Sequence, residues 1–225
     1  MSKRRVGLLL MIIGVLALAA GLGLGGYNLW DNYRAGVQAD SILSVIVHHQ
    51  TEANVQKAPL SPEFPPDTDQ ELSVLEVDGY RYIGMVSVPV IDLELPVQES
   101  WSLAQLKISP CRYMGSPYQG NLIICAHNYT THFGRLQNLL PGDDVIFTDM
   151  EGNEFRYTVV ELENLAGTAI EEMESGMWDL TLFTCTLGGQ ARVTVRCKLL
   201  EKDESAVNRV EDSIINFPSP ITGEM

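Results

Sequence analysis

A cysteine and an arginine seven residues apart carry the first chemical signal in this sequence. The apolar run "TLFTC" ends on Cys185, and a second β-prone run, "RVTVRC", opens on Arg192. A cysteine is nucleophilic as its thiolate, which requires a positive or proton-accepting group nearby. The pair predicts a thiol that attacks a carbonyl group, with a guanidinium beside it.

His127 is the predicted proton-transfer partner of this thiol. It ends the apolar run "NLIICAH" as Cys185 ends its own run, and residues at the ends of barrel strands can converge on one rim. The alternative is that the histidine is structural, with its hydrogen bonds satisfied. His48 and His49 lie in a helical stretch and are expected to be solvated, and His132 follows in the next loop.

Arg192 is the predicted partner of the thiol in binding a substrate carbonyl group. Alternation along "RVTVRC" puts Arg192, Thr194 and Arg196 on one face of a strand that starts near the chain reversal after Cys185. We therefore expect the thiol and the guanidinium to face each other across antiparallel strands. The fixed N–H donors of arginine can hold a substrate carbonyl and the oxyanion formed during attack. The alternative is an ion pair with one of the 29 acidic residues.

The sequence contains four cysteines. In an exported chain they could form two disulfides in three ways. Because the cysteines lie in or beside apolar runs, buried thiols are the preferred interpretation for all but the nucleophile. The four are Cys111, Cys125, Cys185 and Cys197.

Short β-like runs with turn signals between them make up the region that positions these residues. Gly152-Asn153 predicts a hairpin, and helical stretches are short, near residues 102–107 and 134–140. Many strands at this spacing favour an all-β closed barrel or sandwich of about 120 residues.

An uncharged apolar stretch, residues 6–26, follows Lys3, Arg4 and Arg5. This pattern predicts an uncleaved membrane anchor, with a cleaved signal peptide as the alternative, and the basic flank places the rest of the chain outside the cell. The formal net charge of −14 excludes nucleic acid as a natural partner and favours a cationic group such as an amine.

The predicted segments follow from these patterns together with a proline-rich stretch and an acidic C-terminal stretch. They are a basic cytoplasmic flank (1–5), an anchor (6–28), a helical stalk (29–57), a linker (58–71), the β-domain (72–203) and a mobile acidic tail (204–225). The stalk is predicted to be helical because Val37, Ile42, Val45 and Ile46 recur at helix-compatible spacing.

"TLFTC" followed by "RVTVRC", together with "MGSPYQGNLIICAHN" and "THFGRLQNLLPGDDV", resembles the sortases, the cysteine transpeptidases of Gram-positive bacteria. The resemblance covers about residues 80–200. It implies an eight-stranded β-barrel with short helices after a transmembrane helix. Cys185 would be the nucleophile, His127 the general acid and base, and Arg192 the oxyanion clamp, with Arg196 basic but not catalytic.

The same resemblance implies that Thr184, Thr186 and Ala126 contact the substrate. Ala126 stands where the family usually has glycine, and Cys125 before it could form a competing thiol. The implied reaction is cleavage of a Leu-Pro-x-Thr-Gly-like sorting signal on a surface protein between Thr and Gly, with transfer to an amine of peptidoglycan precursor or pilin. No cofactor is expected.

Several alternatives stay open. An extracytoplasmic cysteine hydrolase or L,D-transpeptidase of peptidoglycan would share the export and the thiol, and a noncatalytic adhesin domain would share the anchor and the β content. No aspartate-aromatic lid motif is evident in residues 31–79, which disfavours a pilin polymerase. Glutamates at 171, 172 and 174 could bind Ca²⁺, but a solvated acidic face is preferred.

The tail contains "SPITG" (219–223), which has the x-Pro-x-Thr-Gly form of a sorting signal. One hypothesis is that this segment reaches the groove by Cys185 as a weak pseudo-substrate in cis. The alternative is an ordinary disordered tail rich in proline and glycine.

Overall fold

A computed structural model describes residues 3–56 and 70–200 of the chain. Nine strands and two α-helices make up these parts, with 3₁₀ turns at Pro89–Ile91, Gln105–Lys107, Pro117–Gln119 and Phe133–Asn138. The helices are α1 (Lys3–Gln56) and α2 (Ile170–Met173). The strands are β1 (Leu75–Val77), β2 (Tyr80–Val88), β3 (Leu93–Gln98), β4 (Cys111–Met114), β5 (Leu122–Ala126), β6 (Asp144–Asp149), β7 (Glu154–Ala166), β8 (Leu180–Cys185) and β9 (Ala191–Leu199).

Eight of the strands close into a barrel. Their order is β2-β3-β4-β5-β8-β9-β7-β6, and β6 pairs back with β2, while the short β1 extends β2 as a hairpin. Only β3–β4 and β5–β8 are parallel pairs. The predicted eight-stranded barrel is therefore confirmed, although β1 and β4 were not evident in the sequence as strands.

The barrel is filled by alternating inward side chains. Ile83, Phe147, Phe155, Leu182 and Val195 are each completely buried in one apolar cluster. Alternation along the strands sends these side chains into the barrel and their neighbours outwards. The close packing of this cluster gives the strand ends at the rim a rigid support.

The β6–β7 hairpin closes where the Gly152-Asn153 pair predicts it. Gly152 has a φ of 84°, which favours glycine, and the Asp149 carboxylate accepts hydrogen bonds from the backbone N–H groups of Glu151 and Asn153, both at 2.9 Å. This prediction is confirmed.

Helix α1 has two parts with different surroundings. Residues 6–30 are exposed on all sides, and the helix is long and apolar enough to cross a membrane. The second part lies on the barrel through Ala35, Ala39, Ile42 and Ile46, which recur at helical spacing and are buried. Residues 31–56 are thus helical and continuous with the candidate membrane span.

The buried stripe of α1 differs from the one that the sequence suggests. Val37 and Val45, which belong to the expected apolar spacing, are about half exposed at 51% and 45%. The contact is made partly by small residues, because α1 approaches the barrel closely. At Gly36, for example, a Cβ would lie 2.9 Å from a methyl carbon of Thr131. Residues 58–69 of the predicted linker (58–71), and the whole predicted tail with "SPITG", fall outside the described residues.

Candidate active site

Three chain segments converge at one rim of the barrel. The parallel pairing of β5 with β8 sets Ala126 beside Thr184, so that His127 and Cys185 follow side by side, and the β8–β9 pairing sets Cys185 opposite Arg192. The side chains of all three predicted site residues line one cavity of about 380 Å³. Residues separated by 65 positions in the sequence therefore share a single site.

The wall of this first cavity is mainly aromatic and aliphatic. The rings of Trp101 and Tyr113 stack with centroids 5.9 Å apart, and Tyr113 meets Phe183 edge-on at 5.5 Å. Ile170 and Met173 of α2 line the same cavity. A cavity with this lining can take apolar side chains of a ligand that reaches the thiol.

A second cavity, of about 570 Å³, meets the first at the thiol. Cys185 and Thr184 belong to both cavities. Its other lining includes polar side chains with hydrogen-bonding oxygens, namely Asn128, Thr130, Gln137, Asn164 and Thr186. The thiol thus lies at the junction of an apolar cavity and a more polar one.

Burial controls the electrostatics of His127. The imidazole is half-buried, and this desolvation lowers its pKa; Lys107 lowers the pKa further, whereas Asp31 on α1 acts in the opposite direction. A lowered pKa favours the neutral imidazole, which can accept a proton from the neighbouring thiol.

Tyr129 connects the loop after His127 to helix α1. Its ring lies 4.9 Å from the His127 ring and 5.3 Å from the His132 ring, and its hydroxyl donates a hydrogen bond to Asp31. Asn32 of α1 accepts a further bond from the Thr130 hydroxyl at 3.1 Å. Sequence patterns do not reveal this connection because Asp31 is almost one hundred residues away from the loop.

The Arg192 guanidinium lies at the β8–β9 turn. Its Nη1 donates to the carbonyl oxygens of Gly189 at 3.0 Å and Ala191 at 3.1 Å. A Cβ at Gly167 would lie 3.5 Å from Nη1 and 3.6 Å from Nη2, which places the guanidinium against the end of β7. Among the described residues, no carboxylate forms an ion pair with Arg192, so the ion-pair alternative has no support there.

The residues expected to contact substrate have other bonds in this structure. Thr184 is buried, and its hydroxyl donates to the carbonyl oxygen of Ala126 at 2.8 Å, which joins β8 to β5 beside His127. The Thr186 hydroxyl bonds to both the N–H and the carbonyl of Ala191 across the β8–β9 turn. These bonds hold in place the backbone that carries Cys185.

All four cysteines are free thiols, and three of them are buried. Burial raises the pKa of Cys125 and of Cys197 to about 12 each, and it raises the pKa of Cys111 as well. The preferred interpretation as core thiols is confirmed. Cys125 does line the first cavity, but its raised pKa disfavours the thiolate that a competing nucleophile would need.

A family model described as a sortase domain matches residues 86–200, about half of the chain. The chain belongs to the sortase family. Sortases are cysteine transpeptidases, and this membership assigns that class of enzyme to the chain. Sortase A of Bacillus anthracis is 27% identical over 195 residues, which cover 82% of this chain and 89% of that protein.

Solved structures of two sortases have the same fold. Sortase A from Corynebacterium diphtheriae, in a lid-mutant form, aligns with a TM-score of 0.50 and 19% identity over 76% of this chain and 100% of that one. Sortase C of Streptococcus pneumoniae aligns with a TM-score of 0.50 and 23% identity over 69% and 88%. At these identities the likeness supports the barrel fold of this sortase and no finer property.

Proposed function

We propose that this sortase cleaves a Leu-Pro-x-Thr-Gly-like sorting signal between Thr and Gly and transfers the new carboxyl end to an amine of the cell wall or of a pilin. The observation that carries the proposal is the position of Cys185 at the junction of two cavities, with His127 and Arg192 lining the first. An acyl donor in one cavity and an amine acceptor in the other can both reach this thiol.

The apolar cavity suits the first part of such a signal. A leucine and a proline are apolar, and the ring wall of Trp101, Tyr113 and Phe183 offers them a surface away from water. The threonine carbonyl would then lie at Cys185. A peptide with polar residues at the first two positions would leave these rings solvated.

The proposed acyl transfer has two halves. The Cys185 thiol loses its proton to His127 and attacks the threonine carbonyl, while Arg192 holds the oxyanion that forms. When the C–N bond to glycine breaks, His127 returns the proton to the departing amine and a thioester remains. An acceptor amine then attacks the thioester and gives up a proton to His127. The new amide forms as the C–S bond breaks, and His127 returns the proton to the Cys185 sulfur.

The second cavity suits the acceptor. An attacking amine carries N–H groups, and the side-chain oxygens of Asn128, Gln137 and Asn164 can accept hydrogen bonds from them. We propose an amine of a peptidoglycan precursor or of a pilin subunit as this acceptor. Attack by the amine has to be faster than attack by water for transfer to exceed hydrolysis.

The proposed location follows from the anchor. Lys3, Arg4 and Arg5 precede the apolar part of α1, so we infer a single pass with the barrel on the outer side of the cell membrane. Surface proteins that carry a sorting signal would meet the enzyme there.

We expect the reaction to need no cofactor. Among residues 3–56 and 70–200, no group of three or more His, Cys, Asp or Glu side chains has the arrangement of a metal site. One of the three glutamates near α2 already has a hydrogen-bond partner: the Glu174 carboxylate accepts from the Tyr113 hydroxyl at 2.9 Å. Equal rates with added Ca²⁺ and with a chelator would support this expectation, whereas stimulation by Ca²⁺ would refute it.

The test is a transpeptidation assay with the full chain in detergent micelles. A sorting-signal peptide is incubated with oligoglycine or a diaminopimelate-type amine, and the peptide–amine product is measured by mass spectrometry. We expect no turnover for Cys185→Ala and losses of at least about 10²-fold for His127→Ala and Arg192→Ala, the size of one acid–base or oxyanion group. A parallel incubation contains a muropeptide in place of the peptide, and its cleavage together with no peptide–amine product in the first assay would instead support a hydrolase.

A further inference from the structure

Arg196 is a buried cation next to the apolar cavity. Its side chain is 2% exposed, although the sequence suggests a basic position without a chemical role. The guanidinium forms an ion pair with Glu163 of β7 at 2.8 Å, and Nη1 donates to the Thr181 hydroxyl of β8 at 3.0 Å. These two partners fix the guanidinium beneath the connection between β7 and β8.

The remaining donors of Arg196 reach that connection directly. Nη2 donates to the carbonyl oxygen of Glu172 at 2.6 Å, and Nη1 donates to that of Met173 at 3.1 Å. Both carbonyls belong to the last residues of α2, where a helix has unsatisfied acceptors and favours a positive charge. Arg196 therefore caps the C-terminal end of α2 from below.

Helix α2 depends on such contacts because it is only one turn long. Four residues cannot form a stable helix on their own, and the residue before it forms no side-chain cap. The bond from the Tyr113 hydroxyl to Glu174 attaches the same segment to β4. Because Ile170 and Met173 line the apolar cavity, whatever holds α2 also sets the width of that cavity.

We propose that Arg196 is a positioning residue for the acyl donor: it holds α2 so that Ile170 and Met173 form a preorganised wall for the apolar part of the sorting signal. The inference rests on the proposed function, which assigns the acyl donor to this cavity. An arginine fits the role because its planar fork reaches two backbone carbonyls, a carboxylate and a hydroxyl at once. A lysine has the charge without that geometry.

The experiment compares Arg196→Lys with Glu163→Gln in the full chain in detergent micelles. Arg196→Lys keeps the charge and loses most of the bonds to α2. Glu163→Gln is the matched control, since it removes the charge of the ion pair while its amide oxygen can still accept from Nε. Each variant is assayed with the sorting-signal peptide at saturating amine, and hydrogen exchange by mass spectrometry follows the backbone of residues 169–176.

We expect Arg196→Lys to raise KM for the peptide about 5- to 10-fold, the size of one or two lost hydrogen bonds, with kcat changed less than about 2-fold. Exchange at the amides of Met173 and Glu174, which bond within α2, should become faster. Glu163→Gln should leave both KM and this exchange as in the wild type. A variant that only lost stability would have unchanged KM as long as it remained folded.

Two results would overturn the proposal. One is a KM and an exchange pattern that are the same in Arg196→Lys and the wild type; the other is an equal change in both variants. If Arg196→Lys does not fold, Thr181→Val removes one bond that orients the guanidinium, and an unchanged KM there refutes the role. If even the wild type does not turn the peptide over, the proposed function fails, while the exchange data still decide whether Arg196 holds α2.

Discussion

Replacement of His132 should remove a large part of the acid sensitivity of this protein. The side chain has no exposed surface, and neither ring nitrogen has a hydrogen-bond partner among the described residues. The pKa of His132 is lowered from 6.5 to about 4, mainly by burial and also by the charges of His127 and Arg34, while the backbone of Ala35 acts in the opposite direction.

The sign of the effect follows from this pKa. Because the folded chain holds the imidazole neutral, the unfolded chain binds more protons in the interval between pH 6.5 and about pH 4. The free energy of unfolding must then fall as the pH decreases through that interval. The contribution of His132 is full above pH 6.5, and about 2 kcal/mol of it is lost between pH 8 and pH 5.

The assay is denaturant unfolding of the full chain in detergent micelles at a series of pH values, for the wild type and His132→Phe. We expect the difference in unfolding free energy between the two to change by about 2 kcal/mol from pH 8 to pH 5, in favour of the variant. Carboxylates that titrate below this range affect both proteins and cancel in the difference.

Leu136→Val is the matched control for this measurement. Leu136 is also completely buried and lies in the 3₁₀ turn that follows His132, but it carries no ionisable group. Its substitution should lower the unfolding free energy by about 1 kcal/mol at every pH. Parallel pH curves for the wild type and His132→Phe would refute the reasoning, since they would mean that His132 is protonated equally in both states.

Three further predictions concern the active site. Iodoacetamide at pH 7.5 is expected to alkylate Cys185 well before Cys125, whose pKa burial raises to about 12, and peptide mapping gives the order. Gly134→Ala would bring a Cβ to within 2.7 Å of the Tyr129 carbonyl oxygen and so displace the loop after His127. We expect kcat/KM to fall by about 10-fold or more, while cooperative unfolding shows that the variant is still folded. Tyr129→Phe keeps the ring and loses the bond to Asp31; we expect kcat to fall about 3- to 10-fold at constant KM, and an unchanged kcat would show that this bond does not hold the loop.

The local sequence determined which residues are the candidates for the chemistry. Cys185 and Arg192 lie on either side of a short turn, and strand alternation is a local rule, so their pairing follows from seven residues of sequence. His127 could be named because it ends an apolar run, and the hairpin at Gly152 because its turn chemistry is local. The apolar stretch after the basic flank likewise predicts the anchor from composition alone.

Only the tertiary structure decided which distant groups support that chemistry. The packing of α1 on the barrel brings Asp31 to Tyr129, and it buries Ala35 and Ala39 where the sequence favoured larger residues. The strand pattern shows which face of β9 carries Arg196 but not whether that side chain is solvated or buried. Its contacts with α2 depend on how the β7–β8 connection folds over the barrel. Such contacts join residues far apart in the chain, and periodicity reports only which face of an element is apolar, not which partner covers it.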